Sequence, residues 1–442
     1  MRKHILAVIG LLILAGVAVF AWLAWPDKAK LDVAAVSGAR PDISAPREQV
    51  LPTVRTADPI GWKAGEAPTA AAGLKAAAFA TGLAHPRWLY RLPNGDVLVA
   101  ETNSPPRDGG GIKGWVMRHL LGKVGAGVPS ANRITLLRDA DGDGVAELKT
   151  PFMTGLNSPS GMALLDGQLY VANTDALVRV AYRAGETKIT ATPELVVKLP
   201  GGGNHWARNV IVAEDGRTLY VSVGSASNIA EGGLDEERRR AAILQVDPRA
   251  KTSRIFAAGL RNPNGMALVP GTNRLWTVVN ERDMLGSDLV PDYLTAVELG
   301  DHFGWPWYYW GGYRDDRVEP RNPELQQYAK RPDYALGPHV AALGLTFAAD
   351  AKLSERFARG AFVGEHGSWN RKPLSGYKVV YVPFTAAGWP VAGAKPIDVL
   401  TGFLTPDEKA HGRPVDVITD RTGALLVADD VGNTVWRVSA AR

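Results

Sequence analysis

From residue 74 onward, short apolar or alternating apolar and polar runs are separated by Gly, Asn, Asp and Pro, the pattern of β-strands joined by tight turns. One phrase recurs along this stretch. It consists of a Gly-Leu or similar pair, a Pro, a small residue, a short strand, a turn rich in Asp, Asn and Gly, and a second strand resembling LYVAN. Clear copies are GLAHPRWLYRLPNGDVLVAE from Gly82, GLNSPSGMALLDGQLYVAN from Gly155, GLRNPNGMALVPGTNRLWTVVN from Gly259 and GRPVDVITDRTGALLVADD from Gly412. Weaker copies are GNHWARNVIVAEDGRTLYVSVG from Gly203 and LGLTFAADAKLSERFARGAFVGEH from Leu343. Each copy predicts a β-hairpin, because the turn residues accept positive φ. Six copies leave roughly 60 residues apiece, enough for a four-stranded blade with an insertion, so residues 74–442 are expected to form an all-β, six-bladed propeller. The closing NTVWRVSA, from Asn433, alternates and is expected to complete the sheet begun near residues 75–80, which would remove both open edges.

The beginning of the chain has a different pattern. Residues 5–25 carry no charge, and a run of about 20 apolar residues suffices to cross a hydrocarbon core as a helix. Arg2, Lys3 and His4 precede it, and basic residues favour the cytoplasmic side, so the chain after Pro26 is expected to be exported and held at the inner membrane, facing the periplasm. The alternative is a cleaved signal peptide. Residues 26–73, rich in Ala and Pro, are expected to be a linker. Within residues 112–126, Met117, Leu120, Leu121 and Val124 share a helical face, which suits a lid on the propeller or a contact with the membrane surface or an electron-accepting partner.

Composition narrows the possibilities. The chain of 442 residues contains no cysteine, which excludes disulfides, thiolate metal sites, cysteine nucleophiles and a lipoprotein anchor. A net charge of +5 without a basic block argues against nucleic acid as a partner.

Residues just before the repeated strands are where a propeller meets a ligand. Asn204-His205 precedes the first strand of its copy, and a neutral imidazole there suits proton removal from a hydroxyl, or a purely structural bond to a carbonyl. Arg261-Asn262 holds the equivalent place in the next copy, where a guanidinium fork suits a carboxylate or a polarised carbonyl, or clamps a loop. Glu281, Arg282 and Asp283, followed by Asp288 and Asp292, supply oxygen atoms of the kind Ca²⁺ accepts. Asp139, Asp141 and Asp143 with Gly144 match the start of a Ca²⁺-binding loop, but Thr150 stands where a bidentate Glu is expected, with Glu147 nearby. They predict a structural Ca²⁺ turn or an ion-free hairpin. Residues 301–310 are dense in aromatics, including Trp305, which stack on sugars or planar cofactors and also fill cores. Arg371 and Arg413, in EHGSWNRK and HGRP, add cations near the same opening, and converging cations imply an anionic ligand.

These segments resemble the family of soluble PQQ-dependent glucose dehydrogenases and sorbosone dehydrogenases, most closely its sorbosone dehydrogenase-like branch. GLRNPNGMAL, NERDMLGSDLVPDYLTAV, GDHFGWP followed by GGYRDD, EHGSWNR and GRPVDV carry the resemblance, in that order on six repeats, from about Phe79 to the C-terminus. It implies oxidation of an aldose or related sugar by hydride transfer to pyrroloquinoline quinone (PQQ), with His205 as general base and Arg261 polarising the quinone oxygen. It further implies that Asn262, Arg413 and Arg371 hold the cofactor's carboxylates, that residues 281–283 bind the catalytic Ca²⁺, and that Trp305 contacts cofactor or sugar. Two positions depart from the glucose enzyme: Asn204 replaces an Asp before the base, and Val415 replaces a second Arg after Arg413. The rival readings are a Ca²⁺-dependent propeller lactonase or esterase, which would draw acidic ligands from several blades into the channel, and a non-catalytic binding propeller.

Overall fold

The computed structural model describes residues 10–19, 27–49, 53–106 and 127–441. Among these residues six antiparallel sheets succeed one another along the chain. Blade 1 comprises Pro86–Arg91, Val97–Glu101, Arg133–Arg138 and Leu148–Met153, and blade 2 comprises Met162–Leu165, Gln168–Ala172, Ala176–Ala181 and Glu194–Lys198. Blade 3 comprises Val210–Val212, Leu219–Val223, Ala242–Asp247 and Thr252–Ala258; blade 4 comprises Asn262–Leu268, Leu275–Asn280, Pro291–Val297 and Tyr334–Pro338. Blade 5 comprises Ala342–Phe347, Gly360–Glu365, Lys378–Pro383 and Ile397–Thr401. Blade 6 comprises Pro414–Thr419, Leu425–Asp429 and Thr434–Ala440, and takes its outermost strand, Leu74–Ala80, from the start of the propeller. The predicted closure is present: Val435 pairs with Ala80 and Ala440 with Leu74. A ring closed in this way leaves no free edge between the last blade and the first.

The turn chemistry accounts for the hairpins. In blade 2, Asp166 and Gly167 adopt φ of 51° and 70° and join two strands in register, Leu165 opposite Gln168. Positive φ at both positions is what a two-residue turn between twisted strands requires. The core is distributed between adjacent blades rather than gathered at the centre, with Leu98, Leu136, Val171, Val221, Val278, Val363 and Val427 fully buried.

The segment expected to be a linker is laid on the propeller in its described parts. Val36 and Ala57 are buried, and Trp62 packs edge-on to Phe403 and Trp436 and stacks on His411. Its indole donates to the Asp429 carboxylate, and Thr69–Ala70 adds a fifth strand to blade 5. The segment has no core of its own and borrows that of the blades, so an Ala/Pro-rich composition did not reveal its packing. Residues 10–19 are helical; among the described residues no helix is long and apolar enough to cross a membrane. The rest of the apolar run at residues 5–25, and the expected helix within residues 112–126, lie outside the described residues.

Blade 4 carries a long excursion between its third and fourth strands. From Gly300 the chain runs beside the outer strand of blade 3, with Ala258 N–H donating to Asp301 O and Phe303 N–H donating to Ala258 O. This lifts the aromatic segment from the far end of the propeller to the end where the inner strands begin.

Candidate functional site

Residues that precede or open the innermost strands occupy equivalent places in successive blades, so topology alone gathers them at one end of the central channel. His85 and Arg87 come from blade 1, His205 and Trp206 from blade 3, Arg261 and Asn262 from blade 4, His339 from blade 5 and Arg413 from blade 6. Loops between second and third strands emerge at the same end and add Asn228, Asp283, His366, Asn370 and Asp430.

His205 is half-buried, and its Nδ1 lies 2.8 Å from Ser225 O and 3.0 Å from Ser225 Oγ. A carbonyl only accepts, so Nδ1 carries the proton and the Nε2 lone pair is left for a ligand. The low-polarity surroundings of the ring, followed by the positive charge of Arg261, push its pKa down to about 3, so the imidazole is neutral at physiological pH. Arg208, fully buried, fixes the backbone that presents His205 by donating to the carbonyls of Pro200 (2.7 Å), His205 (2.8 Å) and Ala207 (2.9 Å). Gly224 leaves the room in which His205 and Asn262 sit: a Cβ there would lie 2.5 Å from His205 Cβ and would also strike Asn262 Oδ1. Gly224→Ala is therefore expected to lower kcat at least about tenfold, because it displaces the His205 imidazole by roughly 1 Å. An unchanged kcat in steady-state assays would contradict this placement.

Arg261 is held by its full fork. Nη1 donates to Glu281 O (2.7 Å), Nε to Asn228 O (3.2 Å), and Nη2 to Asn228 Oδ1 (2.9 Å) and Asp283 Oδ2 (3.1 Å). The other Asp283 oxygen accepts from Asn370 Nδ2 and lies 3.6 Å from His339 Nδ1. Burial opposes the charge on Asp283, but Arg261, His339 and Asn370 outweigh it and hold the carboxyl down to about 2. Asn228 ties the group together, since its side-chain oxygen also accepts from Asp283 N (2.9 Å) and its carbonyl from Trp305 Nε1 (2.9 Å). Trp305 therefore stands behind the Arg261 clamp, with its indole buried.

Of the residues proposed for Ca²⁺, Asp283 and the Glu281 carbonyl face this cluster. Arg282 is turned into a buried ionic knot, donating to Glu281 Oε2 (3.0 Å), Asp315 Oδ2 (3.2 Å), Pro306 O (2.5 Å) and Tyr308 O (2.6 Å), which fastens the aromatic excursion to the site loop. Arg371 is likewise committed elsewhere, to Ser287 O (3.0 Å) and Pro373 O (2.9 Å), and its neighbour Asn370 is the one that reaches Asp283.

The opposite side of the mouth is built around Asp430. It accepts from His366 Nε2 (2.9 Å) and Arg87 Nη1, with His85 Nε2 at 3.6 Å. Arg413 donates to His366 O (2.9 Å) and Gly367 O (2.6 Å) and lies over the Tyr377 ring. The Arg87 guanidinium lies 5.5 Å from the ring centre of Trp206, the residue after His205, so the two sides meet across the channel. Arg87 Nε and His85 Nε2 are buried without a hydrogen-bond partner among the described residues. Sequence reasoning did not single out Arg87, Asn228, His339 or Asp430. Arg87 and His85 occupy, in the copy from Gly82, places close to those that drew notice to Arg261 and Arg413.

Asp139, Asp141, Asp143 and Glu147 form a separate group at the far end of the propeller, between the third and fourth strands of blade 1. One ligand atom from each lies within 4.8 Å of the others, so Glu147, and not Thr150, joins the three aspartates.

With this geometry in view, the TrAA12-like family model matches residues 68–293 and 313–441. The chain belongs to the TrAA12-like family. The match breaks at residues 294–312, the stretch that contains the aromatic excursion and Trp305. Among solved structures, the chain is similar to the family AA12 enzyme of Trichoderma reesei (TM-score 0.69, 19% identity, covering 85% of this chain and 98% of that one). It is also similar to the holo PQQ domain of the pyranose dehydrogenase of Coprinopsis cinerea (TM-score 0.68, 19% identity, 87% and 100%). At these identities the likeness shows the propeller fold. Aldose sugar dehydrogenase YliI of Escherichia coli (strain K12) is 27% identical over 159 residues, 33% of this chain and 41% of that protein. An uncharacterised protein of Borreliella burgdorferi is 29% identical over 294 residues, 64% of this chain and 76% of that protein.

Proposed function

We propose that this protein is a PQQ-dependent sugar dehydrogenase that oxidises an aldose or related sugar at the channel mouth. The observation that carries the proposal is the meeting of a neutral imidazole, His205, with guanidinium groups from separate blades, Arg261, Arg87 and Arg413, around one opening. Membership of the TrAA12-like family and the PQQ dependence of similar propellers point the same way.

The residues fit the cofactor's chemistry. Arg87 and Arg413 would hold carboxylates on the side of blades 1 and 6, and Asn262 lies beside His205 on the blade 4 side. When bound, PQQ supplies the two-electron acceptor for the hydride leaving the sugar carbon. His205 Nε2 takes the hydroxyl proton, and the Ser225 carbonyl holds the other ring nitrogen as donor while charge builds on the imidazole. Arg261, unable to swing because four of its contacts are spoken for, presents fixed positive charge where negative charge develops. Trp305 sets Asn228, and through it Arg261, rather than meeting the ligand first.

Ca²⁺ would draw on the Asp283 carboxylate and the Glu281 carbonyl, hard oxygens that accept from Arg261 and Asn370 in this structure. A structural Ca²⁺ suits Asp139, Asp141, Asp143 and Glu147. We place the propeller in the periplasm, held at the inner membrane by residues 5–25. Leu11, Leu12, Ile13 and Leu14 of the described helix are between 61% and 68% exposed, an apolar surface that water does not favour and lipid does.

The purified chain loaded with PQQ and Ca²⁺ is expected to reduce a dye in the presence of an aldose panel, and chelating Ca²⁺ is expected to abolish this. Lactone hydrolysis without dye reduction would favour the propeller lactonase instead.

A further inference from the structure

We propose that the channel mouth is the face of the propeller that lies against the membrane surface. The inference rests on the reading of residues 5–25 as an anchor and adds to it an orientation, and the evidence is where the chain leaves the fold.

Asp27 is the first residue described after that apolar run, and it is buried in the rim of the mouth. Its carboxylate accepts from Ser287 N (2.6 Å) and Arg47 Nη1 (2.5 Å), its own N–H donates to Thr53 Oγ1 (2.9 Å), and its carbonyl accepts from Ser287 Oγ (3.2 Å). Ala29 N–H donates to Lys372 O (2.8 Å), and the N–H groups of Lys30 and Leu31 donate to Asp288 Oδ2 (2.7 and 3.3 Å). The chain then descends along blade 4, where Gly38 pairs with Ala335, and returns to the rim, where Arg47 and Gln49 N–H donate to Leu285 O and Met284 O and Arg55 N–H to Trp369 O.

Apart from Arg47 and Thr53, which belong to the segment itself, the rim partners all lie in two loops, residues 284–288 and 369–372, and both loops also carry the site. The first continues from Asp283, and the second contains Asn370, which donates to the Asp283 carboxylate. Arg371 joins the two by donating to Ser287 O (3.0 Å). Asp27 is thus pinned to the same loops that present Asp283. Trp25 is two residues away, and two residues of extended chain span at most about 7 Å. An apolar run that ends in the bilayer at Trp25 therefore brings the rim of the mouth to within a headgroup layer of the lipid, whereas the opposite face of the propeller stays a full strand length away.

On the side of the exit point, Val54 and Ile60 of the same segment are 40% and 50% exposed, apolar surface that lipid favours over water.

The native chain has no cysteine, so a single introduced thiol reports its own position. Lys372→Cys lies on the rim, and Arg217→Cys lies in the turn of blade 3 at the far end. Each variant of the full chain would be labelled with a fluorophore and reconstituted into phosphatidylcholine and phosphatidylglycerol vesicles containing headgroup spin-labelled lipid. Quenching at residue 372 several-fold stronger than at residue 217 is expected. Equal quenching in chains that float with the vesicles after an alkaline carbonate wash would overturn the orientation while leaving the anchor intact. Chains washed off by carbonate would overturn the anchor, and the orientation with it.

Discussion

His205→Ala is expected to lower sugar-dependent turnover by about 10²–10⁴-fold, the range typical of a lost general base, while PQQ affinity changes by no more than a few-fold. The separation follows from how the ring is held. Its anchor is the Ser225 carbonyl and hydroxyl inside its own blade, and the cations that would grip the cofactor are fastened independently: Arg87 to Asp430, Arg413 to the His366 and Gly367 carbonyls. Removing the imidazole leaves those bonds in place. Absorbance titration with PQQ and steady-state dye reduction on the same preparation check both halves. Loss of PQQ binding together with loss of the folded circular dichroism signal would make His205 a structural residue.

Arg261 is predicted to behave differently, because it serves the ligand and the loop at once. Arg261→Lys keeps the charge but cannot reproduce the fork that reaches Asn228, Glu281 and Asp283, and kcat should fall by about 10²–10³-fold. Arg261→Ala also strips Asp283 of its closest cation and should destabilise the fold by about 3 kcal/mol. Adding Asp283→Asn to Arg261→Ala removes the unpaired charge and should return part of that stability without returning activity. Urea unfolding and kinetics on the single and double variants measure the two effects. A double variant no more stable than Arg261→Ala would mean that the pair is not coupled as its 3.1 Å contact implies.

Much of this architecture was legible in the sequence because a propeller repeats itself. Six hairpin phrases gave the blade count, and alternation in the last strand predicted its pairing near residues 75–80, observed with Leu74–Ala80. The same regularity pointed to His205, Arg261, Asn262 and Arg413, since positions before inner strands face the channel whatever their loops do. Loop residues were harder. Asn228 lies in a blade 3 insertion with no repeat partner, and Asp430 and His339 gain their meaning from neighbours dozens to hundreds of residues away. Adjacent residues on one loop also face opposite ways: Asn370 reaches Asp283 and Arg371 reaches Ser287, so residue type alone favoured the wrong partner for the site loop. Arg282 shows the same limit, because its charge serves the knot with Glu281 and Asp315. The packing of residues 27–73 was hidden for another reason: Trp62 and Val36 are covered by apolar surface that belongs to the blades.

The central claim is that one opening binds PQQ and delivers sugar electrons to it. Titrating the apo chain with PQQ in the presence of Ca²⁺, then adding an aldose under anaerobic conditions, tests both parts by absorbance. Saturable binding of one PQQ per chain, followed by bleaching of the oxidised chromophore when sugar is added, is the predicted result. Absence of saturable binding, or bound PQQ that stays oxidised with every aldose tried, would contradict it.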